Sequence, residues 1–190
     1  MLDERPRPVG IGGRIGETNN LVLGGAKVAT ADIVGELEAI KQLKARYCRF
    51  LDTKDVVAWR ALFADDVVGA VDLAVSTGGA DPRTTPPLEG VEQFASMVLA
   101  VVADAATMHH CHTPEITLTS DMTATGIWAM EDRLVYPDGR RVVGAGHYHE
   151  TYEKRDGSWR IKSLHLTRTF FEIVGDVEPA LPDVLKTGDN

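Results

Sequence analysis

Residues 123–173 read TATGIWAMEDRLVYPDGRRVVGAGHYHETYEKRDGSWRIKSLHLTRTFFEI. The stretch is broken at two Asp-Gly pairs, Asp138-Gly139 and Asp156-Gly157. Such pairs supply the positive φ that tight hairpin turns require. It therefore reads as three long strands, Thr123–Tyr136, Arg141–Arg155 and Trp159–Ile173. Upstream, Met108–Thr119 is a fourth, joined through Ser120-Asp121-Met122. Three consecutive hairpins make an antiparallel meander, and one of its faces has to be covered.

The cover comes from the preceding residues. A helix capped by Thr30 or Asp32 carries Ile33, Leu37, Ile40, Leu43, Tyr47 and Leu51 at spacings of three and four, which is one buried stripe. Asp55 caps a short second helix with Trp59, Leu62 and Phe63 on its apolar side; Val67–Val75 reads as a strand, and residues 90–104 as a third helix with Val91, Phe94 and Val98 inward. Residues 76–87, rich in Gly, Pro and Thr, form a loop. The predicted class is α+β, a cone-shaped curved antiparallel sheet covered by N-terminal helices. Residues 30–173 make up the domain, 1–29 an N-terminal arm with six glycines and no periodicity, and 174–190 a tail.

Composition narrows the partners. With 20 Lys and Arg against 28 Asp and Glu the net charge is −8, which repels nucleic acid and anionic lipid. No apolar run nears the roughly 20 residues that cross a bilayer. The opening MLDERPRPVG has no basic-then-apolar signal pattern, so a cytoplasmic location is expected. Cys48 and Cys111 are the only cysteines; two free buried thiols are expected, with a single bridge as the alternative. The glycines of residues 10–16 do not fit a phosphate-binding fingerprint.

Asp52 ends the apolar stripe directly after Phe50 and Leu51, where a carboxylate needs a partner that supplies a proton or a charge. Histidine is a natural one, because a carboxylate holds the imidazole in one tautomer and stabilises its cation. Taken alone, Asp52 reads equally as a helix-end aspartate, and any one histidine as a satisfied strand residue. Tyr47, five residues before Asp52, reads either as a core aromatic or as a phenol bordering the same cavity. Arg168 lies between Leu166 and Phe170 on an apolar strand face and calls for a carboxylate or a ligand oxygen. His110 with His112, and His147 with His149, form two HxH pairs of the kind that hold metals, but neither is set in a convincing ligand motif; no metal and no cofactor is expected.

Three segments, ARYCRFLD (45–52), MHHCHTPEI (108–116) and YEKRDGSWRI (152–161) with Leu166-Thr167-Arg168, together with the order of elements, resemble the NTF2-like superfamily and its SnoaL-like enzymes over about residues 31–173. The resemblance implies an aspartate at the end of the first helix facing a histidine on the first meander strand, positions that fall on Asp52 and His110. It implies a catalytic set of Asp52, His110, Tyr47 and Arg168, as in dehydratases, dehydrochlorinases and isomerases, including enzymes of the bile-acid and scytalone dehydratase type. Substrate contacts are expected from His112, Trp128, Met130, His149 and Phe170. The implied function is that of a cofactor-independent lyase or isomerase acting on a hydrophobic, oxygenated small molecule, steroid-like, terpenoid or polyketide. The alternatives are a non-catalytic binding or dimerisation module and a metal-dependent oxygenase using the HxH pairs. A homo-oligomer, dimer or trimer, is expected.

Overall fold

The computed structural model describes residues 21–23, 26–28, 30–77 and 83–175. A short antiparallel hairpin, β1 (Leu21–Leu23) with β2 (Ala26–Val28), lies in the segment expected to be an arm; the glycine run of residues 10–16 and the tail beyond residue 175 are outside the described residues. The apolar stripe becomes α1 (Thr30–Asp52), with Ile40, Leu43, Tyr47 and Leu51 buried. Asp55 caps α2 (Val56–Arg60) by accepting a hydrogen bond from the Ala58 amide at 3.2 Å.

The chain then enters β3 (Phe63–Val71), which starts four residues earlier than expected, because Leu62 and Phe63 already turn inward. β4 (Leu88–Glu89) and α3 (Val91–Val102) follow, and then the meander of β5 (Ala106–Leu118), β6 (Thr123–Val135), β7 (Arg141–Arg155) and β8 (Ser158–Val174). All three hairpins form as the turn chemistry requires. Asp156 and Gly157, with φ of 49° and 75°, make the two-residue turn between Arg155 and its partner Ser158. One six-stranded sheet results, in the order β4-β3-β8-β7-β6-β5. It is curved and mixed: the meander is antiparallel, and β3 adds a parallel pairing with β8.

Of the four register shifts in the sheet, two bear on the residues expected at the site. In β8, Arg168 pairs with Gly146 and Phe170 with Ala145, so Thr169 is an extra residue and the inward phase changes after it. In β5 a second bulge lies between His112 and Glu115. The core beneath α1 and α3 is aromatic: Trp59 packs against Phe63 at 4.7 Å between ring centroids, Phe63 against Phe94 at 5.3 Å and Tyr47 against Trp59 at 5.6 Å. Trp59 joins α1, α2, β3 and α3 and is fully buried. Trp59→Ala is expected to cost about 3–5 kcal/mol, measured as a lowered urea midpoint at unchanged slope.

Candidate active site

Asp52, the last residue of α1, reaches β5 and is held there three times. Its Oδ2 accepts the His109 backbone N–H at 2.9 Å; its Oδ1 lies 2.7 Å from His109 Nδ1 and accepts the Thr107 hydroxyl at 2.9 Å. Lys54 Nζ donates in turn to Thr107 Oγ1 at 2.9 Å. Burial pushes the Asp52 carboxyl up, but the His109 side-chain and backbone hydrogen bonds, the imidazole charge and Thr107 outweigh it and leave the pKa below the ordinary value. An ionised carboxylate accepts from Nδ1–H, which fixes the tautomer and leaves the lone pair on Nε2.

The partner of Asp52 is therefore His109, and the expectation of His110 is corrected. Side chains alternate along a strand: Thr107, His109 and Cys111 face α1, while His110 turns outward, half exposed, and pairs with Glu131 at 3.2 Å. Cys111 carried the missing signal. An apolar thiol belongs against the helix, and Cys48 supplies its counterpart there, with the two sulfurs 3.5 Å apart. Counting back two residues from Cys111 selects His109.

His109 borders a partly open cavity of about 180 Å³ between the sheet, α1 and α3. Its wall is mainly apolar, with Leu51, Phe94, Met97, Val98, Leu164 and Leu166 among its residues. Tyr47 and Tyr148 line it as well, and burial pushes both phenols well above their ordinary pKa, so they enter the cavity protonated. Arg168 lines it too, but it clamps neither Asp52 nor a glutamate. Its Nη1 and Nη2 donate to the two oxygens of Asp132 at 3.0 and 2.8 Å, and its buried Nε has no hydrogen-bond partner. This fork is a buried, charge-assisted pair.

None of the five expected substrate contacts borders this cavity. His112 is exposed beside the β5 bulge, next to Thr113. His149 sits on the outer face, 3.2 Å from Thr167 Oγ1 and 6.4 Å between rings from His165. Phe170 is half exposed because the extra Thr169 sends Phe171 inward in its place. Trp128 is buried, but its indole N–H donates to Tyr152 at 2.7 Å within a separate polar network. Met130 stands behind Arg168, its sulfur 3.7 Å from Nη1. Among the described residues, no group of three or more His, Cys, Asp or Glu side chains is placed to hold a metal ion, the HxH pairs included.

That polar network lies under α1. Lys44 is fully buried and donates to Glu150 Oε1 at 2.5 Å; Glu150 Oε2 accepts the Tyr152 hydroxyl. The ammonium also lies 3.6 Å from the ring centroid of Tyr148 and 4.1 Å from that of Tyr47. It thus backs both phenols of the cavity.

A curved six-stranded sheet covered by N-terminal helices is the architecture of the NTF2-like superfamily. Residues 34–165 match the family model of the SnoaL-like domain, and the chain belongs to that family. Solved structures share the fold. A scytalone dehydratase-like protein from Novosphingobium aromaticivorans is 23% identical, with 75% of this chain and 90% of that one covered and a TM-score of 0.63. The hexachlorocyclohexane dehydrochlorinase LinA-type3 from Novosphingobium barchaimii is 20% identical, covering 81% and 100%, with a TM-score of 0.61. The β subunit of an aromatic-ring-hydroxylating dioxygenase-like protein from Novosphingobium aromaticivorans is 21% identical, covering 74% and 92%, with a TM-score of 0.59.

Two outcomes follow from the site. A Cβ on Gly144 would lie 2.2 Å from Arg168 Nη1 and 2.5 Å from Asp132 Oδ1. Gly144→Ala should therefore force the buried pair apart and destabilise the protein by about 3 kcal/mol in a denaturant titration; an unchanged midpoint would show that the pair adjusts. Asp52 is more acidic in the folded protein than in the unfolded chain, so at neutral pH its ionisation stabilises the fold. That contribution is present in full above the unfolded carboxylate value of about 3.9 and is lost as pH falls through the lower folded value. Melting curves of wild type and Asp52→Asn should accordingly differ at pH 7 and converge in strong acid.

Proposed function

We propose that the protein is a cofactor-independent lyase or isomerase in which His109 is the general base. The observation that carries this reading is the 2.7 Å contact between Asp52 and His109, with the His109 ring bordering a mainly apolar, partly open cavity. His109 Nε2 removes a proton from a carbon next to an electron-withdrawing group. Asp52 orients the ring and stabilises the imidazolium that forms. Tyr47, protonated and inside the cavity, donates to the oxygen that leaves or becomes negative, and Arg168 contributes positive potential from its fork with Asp132. Dehydration is the first choice among these reactions; isomerisation uses the same base and ends with the electrons elsewhere.

Cavity size bears on the substrate class. An apolar cavity of about 150 Å³ holds a benzene-sized guest, so 180 Å³ takes in one ring of an oxygenated molecule, with any larger part of it lying in the open mouth. The exposed surface of its wall is mainly apolar, which suits a hydrophobic substrate.

The rival reading, a non-catalytic binding or assembly module, draws on the dioxygenase β-subunit-like neighbour. One experiment separates the two. Purified protein is incubated in deuterated water with a panel of cyclic hydroxy-ketones, and deuterium uptake and water loss are followed by mass spectrometry. His109→Ala should lower the rate about 10²–10⁴-fold, and His110→Ala should leave it within a small factor of wild type. Uptake and elimination that survive His109→Ala would remove His109 from the mechanism, and bound but unreacted ligand throughout the panel would favour the module.

A further inference from the structure

The two cysteines play no part in the chemistry above, yet their placement is specific. Cys48 lies one helical turn before Asp52 on α1, and Cys111 two residues after His109 on β5. Residues four apart on a helix share a face, as do residues two apart on a strand. The Cys48–Cys111 contact is therefore the neighbouring rung to Asp52–His109 across the same helix-strand crossing, with sulfurs 3.5 Å apart. Both cysteines are half buried and border an open groove that also includes Lys41, Lys44 and His112.

We propose that Cys48 and Cys111 form a peroxide-sensitive dithiol site whose oxidation to a disulfide tightens the α1–β5 crossing and displaces the imidazole of His109. The control it exerts on turnover rests on the reading of Asp52 and His109 given above.

The two sulfurs have unequal tasks. The hydrogen bond between the two thiols lowers the Cys48 pKa against the opposing effect of burial, and the Lys44 charge adds to the lowering. Cys111 is pushed up by its bond to Cys48 and by burial, so it keeps its proton. Lys44 lies one helical turn before Cys48 on the same face of α1, and this placement marks Cys48 as the nucleophile and Cys111 as the resolving thiol. The Cys48 thiolate attacks one oxygen of hydrogen peroxide; an S–O bond forms, the O–O bond breaks, and hydroxide leaves to become water with one solvent proton. Cys111 sulfur then attacks the Cys48 sulfenic acid. The S–S bond forms, the S–O bond breaks, and the departing hydroxide takes the Cys111 proton as a second water. Two thiols are oxidised and one peroxide is reduced to two waters.

A disulfide requires the sulfurs to close from 3.5 Å to about 2 Å. The next rung then shifts by a sizeable fraction of that movement, in a geometry where misplacement of about 1 Å can cost 10²-fold in rate.

The test uses the full-length wild-type protein, treated with a small excess of hydrogen peroxide. Expected are loss of both titratable thiols, a mass decrease of two hydrogen atoms, a proteolytic peptide pair joining the Cys48 and Cys111 segments within one chain, and reversal by dithiothreitol. In Cys111→Ser, a sulfenic-acid trap such as dimedone should label Cys48, whereas Cys48→Ser should label weakly. Histidine NMR, assigned with His109→Gln, should show the His109 ring resonances moving on oxidation and returning on reduction. Thiols that survive peroxide, sulfinic acid without a bridge, or a bridge between two chains would each overturn the site. A bridge that leaves the His109 resonances in place would overturn its control of the dyad. These readouts need no substrate, so the dyad reading can fail through His109→Ala without bearing on the disulfide itself.

Discussion

Lys44 and Glu150 meet at 2.5 Å under the first helix, both almost wholly buried, and much of the site depends on that contact. A buried ammonium and a buried carboxylate are each costly alone and tolerable only together with their remaining hydrogen-bonding capacity filled. Here Tyr152 donates to the free carboxylate oxygen, Trp128 donates to Tyr152, and the ammonium rests against the rings of Tyr47 and Tyr148. The pair holds α1 at one depth and one rotation over β7. A helix packed through Leu and Ile alone could slide or roll at small cost, whereas a buried charge pair penalises misregistration steeply. Asp52, eight residues further along the helix, therefore arrives opposite β5 at a fixed height, where the backbone and side chain of His109 and the hydroxyl of Thr107 meet it.

The cavity lies beside the same helix. The polar network holds α1 by way of β7, the aromatic cluster around Trp59 ties α1 to α2, β3 and α3, and the cavity lies between the sheet and these helices. Its polar groups are placed in two different ways. His109 is presented by a carboxylate that keeps one nitrogen occupied and the other available. Arg168 is held with its charge largely cancelled by Asp132 and one N–H unpartnered. In the proposed reaction, a neutralised guanidinium would accommodate an uncharged substrate and respond to negative charge developing on its oxygen. On the proposed reading, this division serves proton abstraction from a neutral molecule.

The fold was legible in the sequence to within a few residues, because it is written in local signals. The Asp-Gly pairs place the hairpin turns, and the three- and four-residue spacing in 33–51 marks the helix. The parallel pairing of β3 with β8 was not legible, since it joins residues about a hundred apart and leaves no local trace. Neither was the inward turn of Phe171 in place of Phe170. A bulge of one residue reverses every alternation argument beyond it, and nothing in Thr167-Arg168-Thr169 announces one.

The histidine assignment is the more instructive case, since the information was present. With His109 and His110 adjacent, one of them must face the helix and the other solvent, and the choice turns on strand phase alone. Cys111, paired with a helical cysteine, fixes that phase in favour of His109. The same logic applies to Lys44, which falls four residues after Ile40 and three before Tyr47 on the apolar stripe and so asks for a buried acid. Glu150 stands between the inward-facing Tyr148 and Tyr152 on a strand where alternation also sends it inward. Reading the misplaced charge on each element as one half of a pair would have located the anchor of the first helix, and with it the wall of the cavity, before any coordinates existed.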